Sequence, residues 1–578
     1  MNTKSYILVF VVSILISFFL YGNSLSHEFI WDDFIFAGRV ELRNPGYLKK
    51  LWLEPLDVSR STPISYRPTL IFTAVLNFLI TGESAVGFHL FSILLNGLVT
   101  FLVFVLVYKL FFSKTLTIFS SLLFAFFPIH TEAVAQIKSR DSLLATFFML
   151  ITWIFFLNAT EKKEKVNYSL IFFSSVFFLL TLFSKEFKLI GPLIMLIVFF
   201  LQKNPQWLTI IKIGLLYLPA VIIYMIMRYL ALGSFEVSKI DYMRNPLFYS
   251  DWLTRIGTSF KAVSIYLIKI LAPYNLSATY AYNHFPLVKN PLHSWESLLF
   301  IGLFAGLIYL IFNKKTRTLP LTIGLVFFFI AIICVSNLII LLTDLFTERW
   351  AYFPSIGIAI AAGYLINLLY KRWRSISLII FIIMLTIYTI IIWKRNIIWT
   401  SNARFYKQVV IDAPDSVYAR WMLAEHYAQK GDFSSAKPQI EQGLQILRIS
   451  KLVELASISA YNDGDFTKAK QLALEALKYL NKEPSRVHLI YALILTHEHK
   501  YQDSLNLTNW ILSNGKNYQA IVVEGGTHRN PFTKSNPVIK FILALDYFKM
   551  GNIEMAKEYF DWDSRYSNEE KIKILKSY

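Results

Sequence analysis

The feature that most constrains this chain is the recurrence of uninterrupted apolar runs of about 20 residues, the length at which a helix crosses the hydrocarbon core of a bilayer. Residues 5–22 form the first such run, and others follow at 87–112, 114–130, 141–158, 167–184, 186–202, 207–231, 296–312, 319–343, 349–370 and 375–393. In hydrocarbon only a helix or a closed barrel satisfies its own backbone groups. The runs therefore predict an all-α, polytopic membrane domain of about eleven transmembrane helices. Composition agrees, since 55% hydrophobic and 16% aromatic residues exceed what a soluble chain carries. No small-residue cleavage site follows residues 5–22, so that run is expected to remain as the first span.

The net charge of +19 is spread over short loops and the C-terminal region without a long basic tract. That argues against nucleic acid and for anionic headgroups and lipid phosphates as partners. The single cysteine, Cys334, lies within an apolar run and excludes an intrachain disulfide or a thiolate metal cluster. Lys109 and Lys114, then Lys162, Lys163 and Lys165, then Lys203, then Lys314, Lys315 and Arg317, then Lys371, Arg372 and Arg374 fall on one side of the count, which marks that side as cytoplasmic. The N-terminus is then inside. Asp32 and Asp33, the loops 131–140 and 232–295, and everything after residue 393 face the lumen or periplasm. Two apolar stretches on that face, Pro68 to Thr81 and Arg255 to Leu271 with Lys261 and Lys269, predict amphipathic helices lying in the interface. If the second instead crosses, the C-terminal part changes sides.

After residue 400 the chain turns soluble and helical. Tyr427-Ala428-Gln429-Lys430-Gly431-Asp432-Phe433-Ser434-Ser435-Ala436 recurs as Tyr461-Asn462-Asp463-Gly464-Asp465-Phe466-Thr467-Lys468-Ala469, a period near 34 residues, that of the tetratricopeptide helix pair. A weaker copy stands at Lys500 to Ser504 and another at Lys549 to Ala556, after an insert carrying Gly525-Gly526. The expected organisation is a membrane domain over 1–399 and a repeat solenoid over 400–578, with repeats near 417–449, 450–483, 484–515 and 537–565. Stacked repeats of this kind present a concave binding surface.

Chemistry is expected at Glu28-Phe29-Ile30-Trp31-Asp32-Asp33, where two carboxylates leave the first span at the membrane surface. Ionisable groups so close to hydrocarbon are costly unless solvated or paired, which favours a functional reading over a helix N-cap. The same face carries Arg67, His89, His130, Glu132, Arg140, Asp141, Lys185, Glu186, Glu348 and Arg349. Singly, each has a plain reading as an interfacial or helix-end charge, which for a lone Lys or Arg outweighs the functional one. Together they suit a transfer with a phosphate leaving group, in which a carboxylate takes a proton from an incoming hydroxyl and cations balance charge on the departing phosphate. A lipid-linked phosphosugar is the natural donor. No metal or other cofactor is required by this reading, although His130-x-Glu132 joining the aspartates as ligands of a divalent metal stays open.

Trp31-Asp32-Asp33, Tyr66-Arg67-Pro68, Phe88-His89, Phe127-Pro128-Ile129-His130-Thr131-Glu132-Ala133-Val134 with Arg140-Asp141, Ser184-Lys185-Glu186, Asn275-Leu276-Ser277, Glu348-Arg349-x-x-Tyr352-x-Pro354-Ser355-Ile356-Gly357 and Arg395-Asn396-x-x-Trp399 resemble the transmembrane and tetratricopeptide repeat-containing O-mannosyltransferases, multispanning glycosyltransferases of the GT-C type. The resemblance covers the whole chain. It implies an acidic base in the first outer loop, hence Asp32 or Asp33, with donor and substrate contacts among the other residues quoted, Tyr352 included. It also implies a dolichyl or other polyprenyl phosphate-linked mannose as donor, an inverting displacement, and Ser or Thr of a protein, held by the repeats, as acceptor. Asp32 aligns with the first acid of the related enzymes, leaving Asp33 to orient the acceptor or Arg67. Ser139-Arg140-Asp141-Ser142 replaces the more usual Gly-Arg-Ala-Asp, and the short repeat array is like that of many bacterial relatives, which points to a bacterial inner membrane rather than the endoplasmic reticulum. Two alternatives stay open: the same donor chemistry on a lipid or cell-envelope glycan, and a non-catalytic membrane-anchored repeat scaffold.

Overall fold

The computed structural model describes residues 2–56, 65–161, 166–234, 240–479, 484–514, 521–522, 528–529 and 536–577. Lys162, Lys163 and Lys165, the Gly525-Gly526 insert, and the repeat ends at 480–483 and 515 lie outside the described residues. The chain divides into two compact units, one running to Ala413 and one from Pro414 onward.

Among the described residues of the first unit six helical segments are long and apolar enough to cross a membrane: Thr3–Ser26, Ala85–Phe111, Ile137–Ala159, Trp207–Leu232, Trp295–Phe312 and Arg374–Ile398. A seventh is the pair Lys114–Phe126 and Pro128–Ala135, bent by 48°. These make the chain a multi-pass membrane protein. Three further expected spans are interrupted. The run at 186–202 begins as a 3-10 turn, Glu186–Ile190, before the helix Gly191–Lys203. The run at 319–343 is helical only over Pro320–Ile333, and that at 349–370 opens as a 3-10 turn, Glu348–Ala351, before Ser355–Arg372. Polar side chains explain the breaks. Beyond Ile333, Asn337 adopts φ +64 and donates to the Leu345 carbonyl at 2.9 Å, so the chain turns back where a helix would continue. Pro192 stands in the first turn of its helix and Pro354 just ahead of the next, where the missing N–H costs nothing. Trp252–Leu271, the stretch of uncertain topology in the sequence, is one amphipathic helix and is not among the six.

Close packing inside this unit depends on small residues, as expected where lipid supplies no hydrophobic drive between helices. Helices Pro320–Ile333 and Ser355–Arg372 touch at Gly324 and Gly357. A Cβ on either would meet the other's carbonyl oxygen at 2.4 or 2.3 Å. Outward faces stay apolar, with Ile7, Leu8 and Leu15 of the first helix and Ile376, Ile379, Ile380 and Ile383 of the last exposed, as a lipid-facing stripe requires.

The second unit is built of helix pairs: Val417–Gln429 with Phe433–Ile446, Ser450–Asn462 with Phe466–Tyr479, Arg486–His497 with Tyr501–Asn514, and Pro537–Lys549 with Ile553–Lys557. A two-residue antiparallel pairing joins Ile521–Val522 to His528–Arg529. Gly431, Gly464 and Gly551 take φ of +75, +78 and +81 at the intra-pair turns, a region glycine enters without penalty. In the third pair His499 takes that role at φ +60. Ala436, Ala469 and Ala556 are fully buried where the paired helices meet, and Ser504 replaces alanine in the third pair. Its hydroxyl donates to the Ala492 carbonyl at 3.0 Å, so the polar substitute is satisfied.

Candidate active site

The loop after the first span is held by the segment beyond the last one. Glu28 N–H donates to the Thr400 carbonyl at 3.2 Å and Trp31 N–H to Asn402 Oδ1 at 3.0 Å. The Trp31 ring stacks on Phe405 at 5.3 Å. Trp31 has φ +48, a left-handed conformation that costs a bulky residue about 1–3 kcal/mol and persists only when its surroundings over-determine it. The consequence is a tight turn that sends two successive carboxylates to different environments.

Asp33 is fully buried. Its Oδ1 accepts from Lys138 N–H at 2.8 Å and its Oδ2 from Ile30 N–H at 3.3 Å. Burial pushes its carboxyl up to about 7, with the backbone hydrogen bonds opposing and the Asp32 charge adding to the rise. Asp32 is instead 38% exposed at its side chain, with Oδ2 3.2 Å from Lys138 Nζ. Burial works against its charge too, but Lys138, Arg349 and Arg244 outweigh it and hold the carboxyl below the ordinary value. Asp32 is thus an ionised, solvent-reachable acceptor, while Asp33 ties its loop to the 137–139 turn. The expectation that Asp33 would orient Arg67 fails, because its oxygens are engaged by backbone N–H groups.

Arg67 joins another cluster. It pairs with Asp141 and, at 3.3 Å, with Glu186. Lys185 Nζ lies 2.9 Å from Asp141 Oδ1 and donates to Ser142 Oγ at 2.7 Å. Four residues picked from the sequence, at 67, 141, 185 and 186, therefore meet in one buried group. Glu132 and Arg349 form the next. The Arg349 backbone N–H donates to Glu132 Oε2 at 2.9 Å and its guanidinium to Oε1. The same guanidinium reaches Asp344 at 3.4 Å, which Arg244 binds at 2.6 Å. Arg349 also lies 5.9 Å over the Trp31 ring, linking this group to the aspartate loop.

Other candidates turn elsewhere. Glu348 faces away from Arg349, accepting from Ser277 N–H at 2.7 Å, Tyr280 OH at 2.6 Å and Arg395 at 2.8 Å. This knot accounts for the Asn275-Leu276-Ser277 and Arg395 strings as architecture. Arg140 is clasped by neutral acceptors, Asn77 Oδ1 at 2.7 Å and the Phe88 carbonyl at 2.8 Å, and lies 4.6 Å over the Phe91 ring. His130 meets Ser355 Oγ at 2.8 Å and packs on Tyr352, whose hydroxyl donates to Asn96 Oδ1 at 2.7 Å. His89 packs against His27. With His130 on Ser355 and Glu132 on Arg349, neither is directed at the aspartates. Among the described residues no group of three His, Cys, Asp or Glu is arranged to hold a metal ion. Lys138, Asp344 and Arg244 escaped the sequence reading. Lys138 alone had a signal, as the cation of an outer loop between two singled-out strings.

No family model matches the chain. Protein O-mannosyl-transferase TMTC4 of Mus musculus is 23% identical over 480 residues, covering 73% of this chain and 64% of the relative. Its counterpart in Homo sapiens is 24% identical over 478 residues, covering 72% and 63%. This chain is a relative of the transmembrane and tetratricopeptide repeat-containing O-mannosyltransferases. Protein O-mannosyl-transferase TMTC3 of Homo sapiens adds a shorter, stronger match, 35% identical over 153 residues, 25% of this chain and 16% of the relative. The chain spans less than two thirds of the length of each of these relatives.

Proposed function

We propose that this chain transfers mannose from a polyprenyl or dolichyl phosphate carrier to a Ser or Thr hydroxyl of a protein, at the lumenal or periplasmic face, with Asp32 as general base. The relatives' names supply the sugar and the protein acceptor, and the buried cation clusters at the ends of the apolar helices favour a donor whose tail stays in lipid. The observation that carries the reading is the contrast within Asp32-Asp33: one carboxylate ionised and reachable, its neighbour occupied by backbone. In a single displacement the acceptor oxygen bonds to the anomeric carbon as its proton passes to Asp32. The bond from that carbon to the phosphate oxygen breaks, and its electron pair leaves with the phosphate. Inversion follows from one attack. The repeat helices supply a surface for the acceptor polypeptide.

Purified full-length protein in lipid nanodiscs, given polyprenyl phosphate mannose and a Ser/Thr-rich peptide, tests this. Asp32→Asn should lower turnover by about 10² to 10⁴ without lowering the unfolding temperature. Asp33→Asn should lower the unfolding temperature, because a carboxylate with two backbone partners is replaced by a group with one acceptor oxygen. A product with retained anomeric configuration, or full turnover in both variants, would overturn the assignment.

A further inference from the structure

Most cations singled out by sequence are already neutralised, and Arg140, though without a carboxylate, has its guanidinium held by Asn77 and the Phe88 carbonyl. Arg67 and Lys185 balance Asp141 and Glu186, and Arg349 with Arg244 balances Glu132 and Asp344. One neighbouring cation differs. Lys188, in the 3-10 turn Glu186–Ile190, is only 7% exposed. Its ammonium has no hydrogen bond or ion pair to any described side chain, and what it meets is the Phe353 ring, 4.0 Å away. A buried ammonium without a counter-ion is strongly disfavoured unless an anion arrives to complete it, and a cation–π contact offsets only part of that cost.

The lining of the space Lys188 borders has the chemistry to receive such an anion. Ser142, Lys185 and Arg349 line its polar side, and Ala331 and Val335, from and just beyond the apolar helix Pro320–Ile333, line the other. The space is narrow, with room for about one water. An oxyanion the size of phosphate therefore enters by displacing the long lysine stems, which have the rotatable bonds to yield. Arg349 borders this space and also lies over Trp31, next to the proposed base.

We propose that Lys188 is the principal anchor for the phosphate of an isoprenoid lipid, whose oxygens contact the Lys188 and Lys185 ammonium groups and the Ser142 hydroxyl while the apolar chain lies along Ala331 and Val335. Arg67 and Arg349 then position this seat. The identification of that lipid as the sugar donor rests on the transferase reading; the anion site itself does not.

The test measures binding of a short prenyl monophosphate to the full chain in nanodiscs, beside the matching prenol and inorganic phosphate. Lys188→Met should weaken prenyl phosphate binding tenfold or more, leave prenol binding unchanged, and keep or raise the unfolding temperature, since a buried amine without a polar side-chain partner is removed. Lys188→Arg should restore most of the affinity. Undiminished prenyl phosphate binding in a folded Lys188→Met variant would overturn the proposal. So would equal affinity for inorganic phosphate, which would make this a site for the free ion. Lys188-dependent binding without mannosyl transfer would defeat the transferase reading and leave the anion site standing. Transfer with donor KM unchanged in Lys188→Met would do the reverse.

Discussion

An arginine held between two carboxylates occurs in both units, in contrasting surroundings. In the membrane unit Arg349 lies between Glu132 and Asp344, with side chains 7%, 0% and 18% exposed. In the repeat unit Arg486 lies between Glu425 and Glu454, with side chains 37%, 15% and 12% exposed. The repeat triad joins the first helices of three successive pairs, at 2.7 to 2.9 Å, and water can still reach its cation. Water hardly reaches the membrane triad. The same pattern therefore serves as an adjustable clasp between repeats in one unit and as an obligatory neutralisation in the other, because the desolvation penalty of each ion grows as solvent is excluded.

Removing the arginine separates the two cases. Arg349→Gln leaves Glu132 charged and buried, and should cost about 3–5 kcal/mol, read as a large drop in the unfolding midpoint of the purified protein. Arg486→Gln should cost about 1 kcal/mol, as for a partly exposed pair, in the midpoint of the repeat unit. Equal losses would show that exposure does not govern these triads. A pH-dependent effect is expected from Asp546, buried beside Thr496 and Ser504 in the repeat unit, whose carboxyl burial pushes up to about 7 despite a hydrogen bond from the Thr496 hydroxyl. The folded state then holds a proton that the unfolded state has released, so stability is greatest below the unfolded carboxyl's range and falls as pH rises from about 4 to about 7. Thermal scans across that window should show the decline, and Asp546→Asn should flatten it. A rise in stability with pH would contradict it.

The repeats were legible because a tetratricopeptide pair contains its own turn and contact within one period. Gly431 and Ala436 predict their structural roles directly, and only the third copy was weak, since His499 and Ser504 do the work of glycine and alanine there. The membrane unit was legible at the level of apolar runs. Its interruptions at 186–190, 334–343 and 348–351 were not, because an apolar count tolerates the few polar residues on which the chain breaks. Asp141, Lys185 and Glu186 were visible as unusual residues, but the sequence carried no indication that they would cancel one another.

The sequence by itself determined the all-α class, the membrane setting, the helical repeats and the place of the acidic turn, because these follow from local periodicity, length and residue type. Tertiary structure alone decided which of two adjacent aspartates solvent can reach and which buried cation is left without a polar side-chain partner. Both depend on groups far away in the chain: Lys138 and Asn402 settle the surroundings of Asp32 and Asp33, and the pairing of Arg67, Lys185 and Arg349 with distant carboxylates leaves Lys188 uncompensated. Charge in a low-dielectric interior is governed by neighbours within a few ångströms, and only the fold brings those neighbours together.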